Sequence, residues 1–262
     1  MKKTVLLLGD ITGRSRVAVR MLTAVLEERG AEVLALPTTL ISNTLNLGAH
    51  AALDTTAYLL ESIAVWEKLG LLWDAVHIGY IASRAQAAAL CPIADAQREK
   101  GRLVVLDPIL GDNGRRYNSV SDDQMEGMKL LMPHADLITP NLTEAALLCG
   151  VSYEEALGGA ANGQMLRSLS GNGARSVLIT SARTKAGAHA MVGFDAETKE
   201  SFELLYEQLP GSRGGTGDFF SAILLQLLMV RMPLSDAAQF AGYAVEGELR
   251  KENSRILPDL SL

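Results

Sequence analysis

Short apolar segments alternate with longer amphipathic segments along almost the whole of this 262-residue chain. The apolar segments have strand length, whereas the amphipathic ones repeat apolar residues at the spacing of one helix face. Strands are predicted at residues 4–8, 32–36, 74–81, 103–106, 137–138 and 176–180. Helices are predicted at residues 15–29, 55–69, 84–100, 121–131, 142–149, 153–169, 219–230 and 234–250. This alternation predicts an α/β fold, a doubly wound and mostly parallel central sheet flanked by helices.

Two more strand-like runs, residues 188–194 and 201–206, are joined by a short polar turn. Such a direct connection predicts an antiparallel pair at the sheet edge. The polar residues 38–46 follow Pro37 and are interpreted as a loop. Because no linker-like stretch interrupts the pattern, we expect a single domain over residues 1–262.

The composition excludes several classes of protein. A content of 48% hydrophobic and 21% charged residues predicts a large buried core. The net charge of −6 disfavours a nucleic-acid or anionic-membrane partner. Cys91 and Cys149 lack the spacing of a zinc site or a disulfide framework. The start of the chain is too short in apolar residues for a signal or membrane segment, so a cytoplasmic protein is expected.

A Gly-rich turn, residues 214–217, precedes Asp218 and a long apolar run. Backbone N–H groups at a helix start attract an anion, and glycine lets them approach it closely. Asp218 in that place suits a base that takes a proton from a hydroxyl while the amides hold a phosphoryl group. An Asp that merely caps a buried helix is the alternative, and the motif alone does not decide between them.

Polar residues gather at the predicted carboxyl ends of strands, where open α/β sheets bind ligands. These positions are Asp10, Thr38, Tyr80, Asp107, Thr139, Asn141 and Thr180. The segment after Asp107 continues with a second carboxylate at Asp112, and the segment with Asn141 continues with a carboxylate at Glu144. Oxygen ligands of this kind suit hydrated Mg²⁺. The spacing of Asn141 and Glu144 is equally that of a helix capping box, which leaves both readings open.

Several common catalytic patterns are missing from the sequence. There is no P-loop, no dinucleotide-binding Gly pattern after the first strand and no Gly-x-Ser-x-Gly elbow. The four histidines, at positions 50, 77, 134 and 189, show no metal-ligand spacing. We expect them to be structural or exposed.

Three segments, LDPILGDNGRRY, ITPNLTEAALLCG and GGTGDFFSAILL, resemble in order and separation the signature segments of pyridoxal kinases in the ribokinase-like superfamily. The segments at residues 78–83 and 38–43 also resemble the vitamin-pocket segments of that family. The resemblance implies a ribokinase-like fold and ATP-dependent phosphorylation of the 5′-hydroxymethyl group of a vitamin B6 vitamer. It further implies Mg²⁺ as cofactor and a homodimer. The sequence does not decide whether a monovalent cation is also required.

The resemblance also assigns roles to residues. Asp218 matches the catalytic base, and Gly215, Thr216 and Gly217 match the anion hole. The ATP-binding positions are Asp107, Asp112, Tyr117, Thr139, Asn141 and Thr180. Glu144 and Asp112 match the metal side, whereas Asp10, Thr38 and Tyr80 match the vitamin side, with Tyr80 as the ring-stacking aromatic.

Two departures fall on the vitamin side. The family usually follows Ser-Asn with His-Thr-Gly and an aromatic, but residues 42–48 here read SNTLNLG, with Leu47 in place of the aromatic. Ser15 also stands where the family commonly has glycine. The alternatives are therefore a kinase for another hydroxymethyl heterocycle, such as the thiamine-precursor pyrimidine, a sugar kinase, or a non-catalytic ligand-binding relative. The retained Asp218 and Glu144 argue against the last.

Overall fold

The computed structural model of the protein describes residues 2–44, 49–209 and 214–256. Within these residues the strands are β1 (Thr4–Thr12), β2 (Glu32–Ile41), β3 (Ala52–Asp54), β4 (Ala75–Ile78), β5 (Leu103–Leu106), β6 (Gly111–Asp112), β7 (Arg115–Arg116), β8 (Leu137–Ile138), β9 (Ser176–Arg183), β10 (His189–Phe194) and β11 (Ser201–Leu205). The α-helices are α1 (Val19–Glu28), α2 (Thr56–Lys68), α3 (Arg84–Glu99), α4 (Asp122–Leu131), α5 (Leu142–Cys149), α6 (Tyr153–Leu157), α7 (Asn162–Leu169), α8 (Thr216–Met229) and α9 (Leu234–Ile256).

The described strands form a nine-stranded sheet in the order β11-β10-β9-β8-β5-β4-β1-β2-β3, beside a separate β6–β7 hairpin. All pairings from β9 across to β2 are parallel. The pairings of β10 and β11 are antiparallel, as is that of β3 with β2. The predicted fold class is confirmed, including the antiparallel pair β10–β11 at one edge.

Both faces of the sheet are covered, because successive side chains of a strand point to opposite sides. In β1, Leu6 and Leu8 pack into the core layer that contains α2 to α5, represented by Leu59 and Leu90. Val5 and Leu7 pack into the opposite layer with residues of α1, α8 and α9. This double burial explains why the strand sequences are continuously apolar rather than alternating.

Strand β1 has β2 on one side and β4 on the other. The chain forms β2 first and then crosses to the opposite side of β1 to form β4. The crevice beyond the carboxyl ends of β1 and β4 is therefore the switch point at which such sheets bind ligands. Asp10 lies in β1 at this end, and Tyr80 follows β4. The topology thus brings together residues that are 70 positions apart in sequence.

The prediction that β2 ends at Leu36 and leads into a loop is wrong for residues 38–41, which continue the strand. Pro37 pairs with Gly9 and Thr39 pairs with Asp10, so Thr38 is an extra residue that bulges from β2. A bulge tolerates the proline that would otherwise interrupt a central strand. Residues 45–48, which include Leu47, lie outside the described residues.

Several other boundaries differ from the sequence prediction; for example, β1 continues to Thr12 instead of ending at Leu8, and α8 begins at Thr216 instead of Phe219. The segment 153–169 is two helices, because Gly159 at φ 72° turns the chain next to the Arg183 carbonyl. Helix α1 begins at Val19 rather than Ser15, since Ser15 and Ala18 have positive φ values of 75° and 51°. The short strand β3 and the β6–β7 hairpin were not predicted; each carries too few apolar residues to give a periodic signal.

A buried amide ties the substrate edge of the sheet to two helices. Gln86 is fully buried, and its Nε2 donates to the Thr38 carbonyl at 3.0 Å and to the Thr56 hydroxyl at 2.9 Å. Its Oε1 accepts a hydrogen bond from the Ala82 N–H at 2.8 Å. We expect Gln86→Ala to lower the free energy of unfolding by about 2–4 kcal/mol, because buried backbone partners lose their bonds.

Urea denaturation of Gln86→Ala checks this expectation, with Gln164→Ala as the matched control. Gln164 is an exposed residue of α7, and its replacement should change the free energy of unfolding by less than about 0.5 kcal/mol. Equal effects of the two substitutions would contradict the structural role of Gln86.

Candidate active site

Backbone hydrogen bonds place consecutive strand ends side by side. The Gly79 N–H donates to the Leu8 carbonyl at 2.7 Å, and the Asp107 N–H donates to the Ile78 carbonyl at 2.8 Å. The Thr139 N–H donates in turn to the Leu106 carbonyl at 3.0 Å. Residues that follow β1, β4, β5 and β8 therefore line one edge of the sheet.

Asp218 lies in the first turn of α8, which starts after Gly215. Gly215 has φ 100°, a conformation that residues with a side chain rarely adopt. The Oδ2 atom of Asp218 accepts a hydrogen bond from the Ala18 N–H at 2.8 Å. Burial raises the pKa of the Asp218 carboxyl, and the Ala18 N–H opposes that rise. Thr216 and Gly217 share the same helical turn.

Asp107 directly follows β5 and is almost completely buried. Its Oδ2 accepts a hydrogen bond from the Ser221 hydroxyl of α8 at 2.9 Å. Burial raises the pKa of Asp107, and the charge of Asp218 adds to the rise. The nearby hydroxyl of Thr139 lowers the pKa of Asp107. In the described residues this hydroxyl is buried and makes no hydrogen bond of normal geometry.

Glu144 is 2% exposed and forms the capping box of α5 with Asn141. Its Oε2 accepts from the Asn141 N–H at 2.8 Å, and its Oε1 accepts from the Leu110 N–H at 3.1 Å. Burial and the charge of Asp107 raise the pKa of Glu144, while these N–H groups lower it. The capping reading is confirmed, and it also places a buried carboxylate beside Asp107.

Four carboxylates thus form a row along the sheet edge, which we call the acidic row: Asp10, Asp218, Asp107 and Glu144. The charge of Asp218 raises the pKa of Asp10 and of Asp107, and the charge of Asp107 raises that of Glu144. Leu110, whose N–H donates to Glu144, follows Asp107 by three residues, which brings Glu144 to the same end of β5. A cavity of about 20 Å³, room for one water molecule, touches Asp10, Asp107 and Asp218.

The β6–β7 hairpin carries Asp112 and leads to Tyr117. Asp112 is exposed and accepts hydrogen bonds from the N–H and the side-chain amide of Asn113 at 2.8 and 2.9 Å. Asp112 is therefore separate from the buried row, although its charge reaches Tyr117. Burial raises the pKa of Tyr117, and the charges of Asp112 and Glu144 raise it further.

The oxygen donors of this edge fit Mg²⁺. The described residues contain no group of three or more His, Cys, Asp or Glu side chains placed to hold a metal by themselves. Mg²⁺ is commonly held by one or two carboxylates together with water and substrate phosphates, so Glu144 and Asp112 could supply the protein's share. Buried carboxylates with raised pKa values also favour a nearby cation.

On the other side of Asp218 lie Asp10, Tyr80 and Thr38. Asp10 is 5% exposed, and burial, together with the charge of Asp218, raises its pKa from 3.8 to about 7. Tyr80 lines the cavity, and its hydroxyl accepts a hydrogen bond from Gln124 Nε2 at 2.6 Å. The Thr38 hydroxyl donates to the Tyr80 carbonyl at 2.6 Å, so Thr38 holds the Tyr80 segment from inside the protein.

The remaining predicted nucleotide-side residues lie near the start of α5. The Thr180 N–H donates to the Pro140 carbonyl at 3.0 Å, within a strand that continues to Arg183 rather than ending at Thr180. Asn141 uses its Oδ1 to accept from the Glu144 N–H and its Nδ2 to donate to the Gly111 carbonyl at 2.8 Å. Asn141 therefore links α5 to the β6–β7 hairpin.

Sequence reasoning missed four residues of this edge: Ala18, His77, Gln124 and Ser221. His77 is buried, and its Nε2 lies 3.9 Å from Asp107 Oδ2. Burial lowers the pKa of His77 to about 4, which keeps the ring neutral at physiological pH. Ser221 could have been found one helical turn after Asp218, on the same face of α8. The backbone N–H of Ala18 leaves no signal in side-chain patterns.

Comparison with known proteins gives the family. A family model for phosphomethylpyrimidine kinase matches residues 25–256. The chain belongs to the phosphomethylpyrimidine kinase family. Kinases of this family transfer a phosphoryl group to an alcohol, so the chain is a phosphotransferase with an alcohol acceptor. The ribokinase-like fold and the resemblance to pyridoxal kinases are confirmed.

Relatives within the family carry two kinds of name. The pyridoxine/pyridoxal/pyridoxamine kinase of Bordetella bronchiseptica is 30% identical over 227 residues, covering 82% of this chain and 77% of that protein. The hydroxymethylpyrimidine/phosphomethylpyrimidine kinase of Rhizobium meliloti is 30% identical over 213 residues, covering 74% and 71%. A solved structure from Bacteroides thetaiotaomicron is named as a phosphomethylpyrimidine kinase and is a crystal form with pyridoxal. It has a TM-score of 0.82 and 30% identity, covering 93% of this chain and 86% of that one.

In the part of the chain that the structure describes, no helix is both long and apolar enough to cross a membrane.

The raised pKa of Asp10 predicts a pH-dependent stability in the unliganded protein. The folded state binds the Asp10 proton more tightly than the unfolded chain, so the contribution is complete below pH 3.8 and is lost as the pH rises through about 7. We expect Asp10→Asn to gain stability relative to the parent across this window, by at most about 4 kcal/mol. His77 titrates in both proteins with the opposite sign, so its effect cancels in the difference.

Urea unfolding at pH 5 and pH 8 measures this difference. The exposed Asp236→Asn, in the first turn of α9, controls for the loss of one charge and should change stability by less than about 1 kcal/mol. A difference between Asp10→Asn and the parent that does not grow with pH would show that the Asp10 carboxyl has an ordinary pKa.

Proposed function

We propose that the chain transfers the γ-phosphoryl group of ATP to the 5′-hydroxymethyl group of a vitamin B6 vitamer: pyridoxal, pyridoxine or pyridoxamine. The observation that carries the proposal is the position of Asp218 within the acidic row. Asp218 lines one cavity together with Asp10, Tyr80 and Asp107, and Ser221, one helical turn after Asp218, donates to Asp107. We assign the Asp10 and Tyr80 side to the substrate ring, and the Asp107 and Glu144 side to the metal and the phosphates.

The proposed reaction assigns one role to each part of the edge. Asp218 takes the proton as the substrate O–H bond breaks and the new O–P bond forms, while the bond from the γ-phosphorus to the bridging oxygen breaks and ADP leaves. The N–H groups of Gly215, Thr216 and Gly217 would hold the transferring phosphoryl oxygens at the start of α8. Mg²⁺, when bound, neutralises phosphate charge.

The remaining proposed contacts follow from the same division. Asp107, Asp112, Tyr117, Thr139, Asn141 and Thr180 are the proposed nucleotide-side residues, and Glu144 and Asp112 the proposed metal-side residues. On the substrate side, the Tyr80 ring lines the cavity with its hydroxyl fixed by Gln124, which leaves the ring face for a heterocycle. The Asp10 carboxylate accepts no hydrogen bond from another residue in the described ranges, so it can accept one from the substrate. A cytoplasmic homodimer is also proposed.

The second candidate is a kinase for the hydroxymethylpyrimidine precursor of thiamine. It is favoured by the family model and by the name of the Rhizobium meliloti relative. The sequence of residues 44–47 lacks the His and the aromatic that pyridoxal kinases usually have there, and in that family this segment belongs to the vitamin side. Both candidates use the same phosphoryl-transfer chemistry and differ only in the ring.

Asp218→Asn tests the chemistry. The amide keeps the shape and can still accept the Ala18 hydrogen bond, but it cannot take a proton, so kcat should fall by about 10²-fold or more. ATP affinity and the melting temperature should stay near those of the parent. Thr184→Ser, in the turn between β9 and β10, is the activity control. Turnover of Asp218→Asn within a few-fold of the parent would mean that Asp218 is not the base.

A substrate panel with coupled detection of ADP tests the ring. Pyridoxal, pyridoxine and pyridoxamine are compared with the hydroxymethylpyrimidine and with ribose, each up to millimolar concentration. We expect the B6 vitamers to be phosphorylated, with Leu47→Tyr lowering KM by up to about ten-fold at little change in kcat, because ring stacking acts on ground and transition states alike. Phosphorylation of the pyrimidine alone would favour the second candidate and leave the chemistry intact.

A further inference from the structure

The loop between β1 and α1 contains two residues with a side chain in the left-handed region, Ser15 at φ 75° and Ala18 at φ 51°. Ala18 also has ψ −136°, a combination that only glycine adopts without strain. Such conformations persist where the surrounding structure enforces them. The contacts of Ala18 show what enforces this one.

Ala18 makes hydrogen bonds in two directions. Its carbonyl accepts from the N–H groups of Met21 and Leu22 at 2.9 and 3.0 Å, which starts helix α1 without a side-chain cap. Its own N–H points the other way and donates to Asp218 Oδ2 at 2.8 Å, across 200 positions of sequence. A relaxed backbone at Ala18 would have to give up one of these two directions.

The same loop also supports the start of α8. A Cβ atom added at Gly215 would lie 3.3 Å from the Arg16 carbonyl oxygen and 3.3 Å from the Met21 side chain. The turn before Asp218 therefore packs directly on the loop that contains Ala18. The carboxylate and its N–H donor are held as one unit by backbone contacts from both segments.

For Asp218 the contact has two consequences. With Oδ2 occupied by the N–H, Oδ1 is the oxygen left for a substrate hydroxyl. The N–H also stabilises the ionised carboxylate against burial and against the other groups that face it, namely Asp10 from β1, Asp107 after β5 and Tyr117 after β7. Ala18 is the cause that lowers the pKa of Asp218.

We propose that Ala18 is a positioning residue for phosphoryl transfer: its strained backbone turns its N–H onto Asp218 Oδ2 and thereby orients the other carboxylate oxygen toward the substrate hydroxyl. This inference rests on the proposed role of Asp218 as the base. It adds that the strain in the β1–α1 loop is maintained for the orientation of that base, rather than for the start of α1 alone.

Ala18→Val is the test, because a β-branched residue disfavours positive φ and should rotate the N–H away from Asp218. We expect kcat to fall by about ten-fold or more, and the acidic limb of the pH profile of kcat/KM to move to higher pH. Ala18→Gly, which keeps the N–H and releases the strain, should retain the kcat and pH profile of the parent and raise the melting temperature.

Asn172→Val is the matched control. Asn172 also has positive φ, at 57°, and lies in the turn after α7, remote from the acidic row. It should lower the melting temperature but leave kcat and the pH profile unchanged. If Ala18→Val behaves like Asn172→Val, with lower stability and an unmoved pH profile, Ala18 has only a structural role and the inference is wrong.

A second measurement does not require Ala18→Val to fold. In the parent, the Ala18 amide proton should resonate at low field and exchange slowly, as expected for a charge-assisted hydrogen bond. Asp218→Ala should move this resonance upfield and speed its exchange. An unchanged Ala18 amide would overturn the inference. The role of Asp218 as the base is tested separately. It is wrong if Asp218→Asn keeps the turnover of the parent, and this outcome does not depend on the results for the Ala18 variants.

Discussion

The burial of negative charge at one sheet edge is the constraint on which the rest of this structure depends. Burial raises the pKa of all four carboxylates of the acidic row, and the charges of Asp218 and Asp107 raise the pKa values of their neighbours further. Burying ionised carboxylates is costly unless donors reach the oxygens, and three of the four receive such donors. The donors come from separate elements: the Ala18 N–H before α1, the Ser221 hydroxyl of α8 and the Leu110 N–H after β5. The hydrogen bonds to these carboxylates therefore connect the β1–α1 loop, helix α8 and the segment after β5 to one edge of the sheet.

The sequence predicted the elements that a local pattern encodes. The six parallel strands, most helices and the antiparallel pair β10–β11 follow from periodicity and turn chemistry, and so does the gathering of Asp10, Tyr80 and Asp107 at strand ends. The extension of β2 past Pro37 could not be predicted. It depends on the bulge at Thr38, and that bulge is set by the pairing of Asp10 with Thr39, a contact between strands that neither segment specifies alone.

Within the site, the sequence identified residue types better than contacts. Asn141 and Glu144 were left open between capping and metal binding; the structure contains the capping box, and the role of Glu144 toward a metal stays a proposal. Glu144 also accepts a hydrogen bond from the Leu110 N–H, 34 positions away, which the sequence did not indicate. Backbone donors such as this one and Ala18 can be supplied by any residue type except proline, so composition carries no trace of them.

The acidic row also explains why stability and function are linked at this edge. Without ligand, ionised carboxylates in this row repel one another, and the folded state keeps protons on Asp10 and Asp107 up to about pH 7 that the unfolded chain releases near pH 3.8. A cation with bound phosphates would relieve that repulsion on the Asp107 and Glu144 side, and a ligand that binds only the folded state stabilises it by an amount that grows with the logarithm of its affinity. This edge therefore lowers the free energy of unfolding most when no ligand is bound, and binding of the cation and phosphates restores part of that stability.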